Sequence, residues 1–155
     1  TGKTHIAQSL GQLAIRRGFE VKFEHTNPAL RHLHAGRATN LWDRRLNDLA
    51  KPAVLIFDAF AVREFTPTET EDLYELMIAR KGKPMIITSA RAPKEWYKLF
   101  PNKVIAESFL DSLVNTSHHI LMDGISYRTN KRPGRASATA PAETSQAVKR
   151  ARRAA

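Results

Sequence analysis

Two short apolar runs, Ala53-Val54-Leu55-Ile56-Phe57 and Met85-Ile86-Ile87, constrain this chain more than anything else in it. Neither alternates polar with apolar, so neither suits a sheet with one wet face. Both read as strands buried on two sides, the signature of a parallel sheet. The first run delivers Asp58 and the second delivers Thr88 and Ser89 at their carboxyl ends. Between them Thr66-Pro67-Thr68-Glu69 forms a capping box with proline at the first helical position, and Leu73, Leu76, Met77 and Arg80 continue that helix. Upstream, Ile6, Leu10, Leu13 and Ala14 recur at helical spacing until Arg16, Arg17 and Gly18 end the helix. Val21 to His25 is a short alternating strand with Val21 and Phe23 on one face, and residues 28–35 and 41–49 are two more helices. Downstream, residues 93–99 and 104–114 are helical. His118 to Met122 is expected as a last strand that turns at Asp123-Gly124 into Ile125 to Arg128. This order predicts a three-layer α/β domain with strands near 21, 53, 84 and 118. In such sheets ligands bind at the carboxyl ends of strands, here beside Asp58, Thr88 and Ser89.

Composition narrows the class. The 155 residues suit one domain and contain no cysteine, which removes disulfide frameworks, thiolate metal sites and cysteine nucleophiles and suits a reducing cytoplasm. No stretch approaches the roughly 18 apolar residues of a membrane span, so no membrane is expected as a partner. Net charge is +10, and +7 of it falls on residues 128–155, where eight Lys and Arg face only Glu143. A nearly balanced body with a basic arm points to nucleic acid phosphates, although a solubilising tail without a partner has the same composition. Pro, Gly, Ala, Ser and Thr without periodicity follow Arg132, so the domain is expected over 1–130 and a disordered basic tail over 131–155.

Gly2-Lys3-Thr4 opening an amphipathic helix is the end of a phosphate-binding loop. Glycine lets backbone amides close on a phosphate, lysine reaches the β and γ oxygens, and the threonine hydroxyl ligates magnesium. The tripeptide is weak evidence alone. It gains weight because an apolar strand ending in Asp58 follows, as a magnesium-holding carboxylate of the Walker B kind requires, while Thr88 or Ser89 could sense the γ-phosphate. The expected ligands are therefore a nucleotide and magnesium. Gly2, Lys3, Thr4, Asp58, Thr88 and Ser89 bind nucleotide, and Thr4 and Asp58 hold the metal. Gly2 to Thr4 should face Asp58 from a helix amino end.

Other signals carry less. His32 with His34 and His118 with His119 lack the cysteines or matching second pair of a zinc site. Trp42, Trp96 and Tyr97 each fit an apolar helix face and are expected to pack rather than stack on bases.

At Thr1-Gly2-Lys3-Thr4-His5, Leu55-Ile56-Phe57-Asp58, Ile86-Ile87-Thr88-Ser89 and Pro93-Lys94-Glu95-Trp96 the chain resembles the IstB-like ATP-binding proteins. These are helpers of insertion-sequence transposition within the AAA+ class, which also holds the DnaC helicase loaders. Ile105 to Leu113 and Gly124-Ile125-Ser126-Tyr127-Arg128 match as well, so the resemblance runs to about Arg132. It implies a P-loop NTPase fold of AAA+ type, ATP binding, and action on DNA with a transposase as partner, in a homo-oligomer. The departures are specific. The family's acidic residue after the Walker B aspartate is Ala59 here, a polar sensor is Ala90, and the arginine that reaches a neighbour's γ-phosphate is Ser112. Impaired hydrolysis is the expectation, unless Glu64, Glu69 or Arg91 substitutes. The family also places a strand and loop residues ahead of Gly2. The first strand, central in the order 5-1-4-3-2, is thus expected to be missing, as in a truncated or decayed copy. The rival readings are a non-enzymatic DNA-binding or assembly module with a vestigial nucleotide site, and a DnaC-like helicase loader.

Overall fold

The computed structural model describes residues 2–122. These form α1 (Lys3–Arg16), β1 (Val21–His25), α2 (Thr26–Ala35), α3 (Trp42–Ala50), β2 (Val54–Phe60), α4 (Pro67–Ala79), β3 (Met85–Ser89), a single turn α5 (Pro93–Trp96) and α6 (Lys103–Asn115). The strands make one parallel sheet in the order β1-β2-β3. Leu55, Ile56 and Phe57 of the central strand are buried on both sides of it, as an unbroken apolar run requires.

The two faces of the sheet are covered very differently. Among the described residues, one face carries α1 alone. Ala7 of α1 meets Val54 and Ile56, with Ala14, Val21, Phe23 and Ile86 packed around them. A Cβ at Gly11 would come within 2.8 Å of Ile56 Cδ1, so glycine there sets how closely α1 lies on the sheet. A groove of about 520 Å³ remains beside α1, floored by Val21, Phe23 and Ile56. The large residues that announce this helix in the sequence are not its seam: Ile6, Leu10 and Leu13 are 38%, 41% and 45% exposed. Periodicity reports a helix, but which stripe meets the sheet is decided by how closely the backbones approach.

The other face is thick. Leu30, Leu33, Leu49, Leu55, Phe57, Leu73, Leu76 and Leu110 join one core with the rings of Phe60, Phe65, Trp96, Phe100 and Phe109. Trp96 is buried and Trp42 packs against the same core, as expected, whereas Tyr97 is partly exposed. The expected capping box is present, with Thr66 Oγ1 accepting from the Glu69 amide and Glu69 Oε2 from the Thr66 amide. Arg80, 2% exposed, closes this layer from the end of α4. Its guanidinium donates to the carbonyls of Leu49, Ala50, Pro52, Ala53 and Pro84, joining the end of α3 to the starts of β2 and β3. Burial pushes its pKa below the ordinary arginine value.

One expected element is not formed. Residues 118–122 have no strand structure, and Ile120 and Leu121 are 68% and 84% exposed. Among the described residues the sheet ends at β3, and a strand without a neighbour has no partner for its backbone groups. The turn at 123–124, the strand at 125–128, the boundary near 130 and the basic tail 131–155 lie outside the described residues.

Candidate functional site

Residues of β2 alternate between the faces. Val54, Ile56 and Asp58 look toward α1, while Leu55 and Phe57 enter the thick core. Asp58 is only 5% exposed, yet its carboxylate is well supplied with donors. Thr4 Oγ1, in the first turn of α1, donates to Asp58 Oδ1 at 2.9 Å across 54 residues of sequence. Thr88 Oγ1, on β3, donates to the same oxygen at 2.5 Å and accepts from the Ala59 amide at 3.1 Å. The Asp58 carbonyl accepts from Thr26 Oγ1 at 3.0 Å, which bolts the start of α2 to β2. Gly2 caps α1, and Lys3 sits half-buried in the same first turn as Thr4. The structure thus brings Gly2, Lys3, Thr4, Asp58 and Thr88 together at the carboxyl ends of the strands.

Ser89 does not join them. It follows Thr88 on the strand and therefore faces the other side, where its hydroxyl donates to the Phe60 carbonyl at 2.8 Å and accepts from the Arg91 amide and Trp96 Nε1. All of its capacity ties β3 to the end of β2 and to α5. Neighbouring hydroxyls on a strand are equivalent in sequence and opposite in space.

His25 is a site residue that the sequence reading did not single out. β1 and β2 are in register with His25 level with Asp58, and the imidazole Nδ1 lies 3.3 Å from Asp58 Oδ2. The alternation Val21, Phe23, His25 carries the signal, but it becomes legible only once the register of the parallel pair is known.

The backbone after Asp58 is irregular. Phe57 is level with Ile87 but Phe60 with Ser89, so β2 holds one extra residue in a β-bulge. Ala59 at φ 56° and Ala61 at φ 58° both occupy the left-handed region, at roughly 1–2 kcal/mol each for a residue with a Cβ. The bulge turns Ala59 out to solvent while keeping its amide on Thr88. Ala90 and Ser112 are also exposed, Ser112 on the outer side of α6. Glu69, one of the residues expected as a substitute for the acidic group after Asp58, is engaged elsewhere. Arg63 donates to both of its carboxylate oxygens, at 2.6 and 3.0 Å. Burial alone would raise the Glu69 pKa, but the Arg63 guanidinium and the Thr66 amide outweigh it and hold the carboxyl below its ordinary range.

The donor set suits a small, hard divalent cation. Thr4 spends its proton on Asp58, which leaves hydroxyl lone pairs for a metal, and the carboxylate supplies a second class of oxygen. No group of three or more His, Cys, Asp or Glu side chains that could cage a metal occurs among the described residues. Such a site would hold magnesium with phosphate and water oxygens completing the shell, the usual habit of that ion.

A helix amino end bearing Gly-Lys-Thr, aimed at an aspartate on the adjoining parallel strand and sharing its carboxylate with a hydroxyl from the next strand, defines an α/β domain of the P-loop NTPase type with AAA+ architecture. The chain belongs to the family of IstB-like ATP binding proteins, whose sequence profile matches residues 1–134. It is 55% identical over 136 residues to an insertion-sequence ATP-binding protein of Mycobacterium tuberculosis (strain ATCC 25618 / H37Rv), a match covering 86% of this chain and 54% of that one. The ATP-binding proteins of insertion sequence IS5376 from Geobacillus stearothermophilus and IS21 from Pseudomonas aeruginosa are each 30% identical over 84% of this chain, and the match covers 53% and 50% of them. The chain therefore spans about half the length of the curated relatives it matches. Among solved structures it is similar to a DNA replication initiation factor (TM-score 0.62, 18% identity, 72% of this chain, 35% of that one). It is also similar to DnaA from Aquifex aeolicus bound to AMPPCP (TM-score 0.60, 20% identity, 70% of this chain, 34% of that one). These likenesses are of fold. No helix among the described residues is long and apolar enough to cross a membrane.

Proposed function

We propose that this chain binds ATP with magnesium at the carboxyl ends of β1 to β3 and serves as the ATP-binding helper of an insertion sequence, acting on DNA with a transposase. The observation that carries the reading is the Thr4–Asp58 hydrogen bond, which joins the two residues a magnesium-nucleotide site needs most and is the longest-range side-chain contact of the motif. Lys3 binds the β and γ phosphates, Thr4 and Asp58 hold the cation, and Thr88 lies next to both as the γ-phosphate sensor. Bound magnesium supplies charge neutralisation of the phosphates; the chain's own groups orient it. Ser89 is left out of this assignment because its hydroxyl is spent on the opposite face. The names of the relatives support the transposition role, the excess of positive charge supports DNA, and exposure of Ser112 on α6 is compatible with a homo-oligomer.

Hydrolysis is slow in this reading. At Ala59, Ala90 and Ser112 there is no group to orient the attacking water or to offset charge developing on the γ-phosphate. The test pairs binding with turnover on the full chain. Lys3→Ala should weaken binding of a fluorescent ATP analogue by about tenfold or more while the wild type releases phosphate at no more than background. Brisk phosphate release by the wild type in the presence of DNA would refute the hydrolytic part, and undiminished binding by Lys3→Ala would refute the site.

A further inference from the structure

The contacts of Asp58 divide by oxygen. Oδ1 accepts from the two threonines of the motif, Thr4 and Thr88, whereas Oδ2 faces His25 Nδ1 at 3.3 Å. The contact lies within ion-pair range, and because a carboxylate oxygen offers lone pairs only, it is attractive when Nδ1 carries the proton. Its aim is fixed from two sides. The parallel register sets the His25 backbone level with Asp58, and the Phe23 ring packs edge-on against the imidazole, with centroids 5.4 Å apart and planes at 83°. The imidazole is otherwise open, with 60% of its side chain exposed against 6% for Asp58, so it contributes little to the core.

Resting on the assignment of Asp58 as the magnesium-holding carboxylate, we propose that His25 is a positioning residue of the nucleotide site: its Nδ1–H holds Oδ2 and so sets the carboxylate before the cation arrives. With Oδ1 shared by two hydroxyls and Oδ2 clamped by the imidazole, the carboxylate torsion is fixed by groups from α1, β1 and β3 together. Partners of this kind, one step removed from the metal, commonly carry about 10–100-fold of its affinity. Without His25 the two threonines hold one oxygen only, and the carboxylate can pivot about it.

The experiment titrates a fluorescent N-methylanthraniloyl ATP into the full chain, once with magnesium and once with excess EDTA. The variants are His25→Ala, His25→Asn and His25→Gln, with thermal melting to verify that each is folded. Asparagine offers an amide N–H close to where Nδ1 stands, alanine offers none, and glutamine displaces its amide by one methylene. In magnesium, His25→Ala should bind about tenfold more weakly and His25→Gln nearly as weakly, while His25→Asn stays within about threefold of wild type. In EDTA all four proteins should bind alike, because only the cation-dependent part of the affinity passes through Asp58. Wild-type affinity for His25→Ala in magnesium would overturn the proposal. So would a loss of equal size in EDTA, or His25→Asn as weak as alanine. A wild type that binds no better in magnesium than in EDTA removes the assignment of Asp58 and the proposal with it, an outcome distinct from a normal magnesium response that ignores His25.

Discussion

The two faces of one three-stranded sheet perform different tasks with different materials. The α1 face is thin, packed through Ala7, Gly11 and Ala14, and it gathers Thr4, His25, Asp58 and Thr88 at one end. The opposite face is thick with leucines and six buried aromatic rings, and the Ser89 hydroxyl is spent there. Small residues bring a helix close enough for its first turn to reach a strand end, at the cost of buried apolar area. The thick face makes up that loss, since burial contributes about 25 cal/mol per Å² wherever it occurs. The cluster at the end of α1 can therefore be lightly packed while most of the buried apolar residues lie on the other side of the strands.

This contrast is most open to attack at Arg80. Replacing it by alanine should destabilise the domain by about 3–5 kcal/mol, because five carbonyl acceptors in and beside the thick layer lose their shared donor. Leu13→Ala, on the exposed side of α1, should cost less than about 1 kcal/mol despite removing a large apolar group. Urea unfolding midpoints compare the two directly, and similar losses would mean that the faces do not differ in what they contribute.

Thr88 and Ser89 provide a sharper cut, since adjacent hydroxyls report on opposite faces. Ser89→Ala should lower stability by about 1–2 kcal/mol through three lost hydrogen bonds and leave nucleotide affinity unchanged. Thr88→Ala should weaken magnesium-dependent nucleotide binding by about threefold or more, its stability cost staying near 1 kcal/mol. Nucleotide titration and thermal melting of both variants decide it, and the same pattern in both would erase the distinction.

The smallest effect lies at Glu69. Its folded pKa is depressed, so the stability it contributes is fully present above the unfolded value and is lost as pH falls through the folded one. Unfolding curves of the wild type should therefore drop on the acid side of the ordinary glutamate range. Glu69→Gln should lack that part of the drop and be slightly less stable at neutral pH. An acid limb unchanged by the substitution would assign the loss to other carboxylates.

Much of this molecule is legible in its residues. The apolar runs at 53 and 85 are strands, Thr66 to Glu69 is a capping box, and Gly2-Lys3-Thr4 opens a helix that meets Asp58. The errors have a common source. Ile6, Leu10 and Leu13 share a stripe with the right period, but the sheet took the smaller residues beside it. Residues 118–122 have the composition of a strand, but among the described residues no neighbour accepts them. Ser89 has the same chemistry as Thr88 on the opposite face, and His25 lies beside Asp58 where no motif announces it.

Local chemistry is written along the chain: which segments bury, which residue caps a helix, which lysine and threonine begin one, and that the family is that of the IstB-like ATP binding proteins. Those properties depend on a residue and its near neighbours in sequence. The tertiary structure alone decided that Asp58 shares one oxygen between Thr4 and Thr88 and turns the other to His25, that Ser89 serves the core, and that Ala59 stands in a left-handed bulge. Each of these depends on strand register, on the two-residue alternation of the pleat, or on the distance between a helix and a sheet. Such quantities exist only between segments and are set when the whole domain packs.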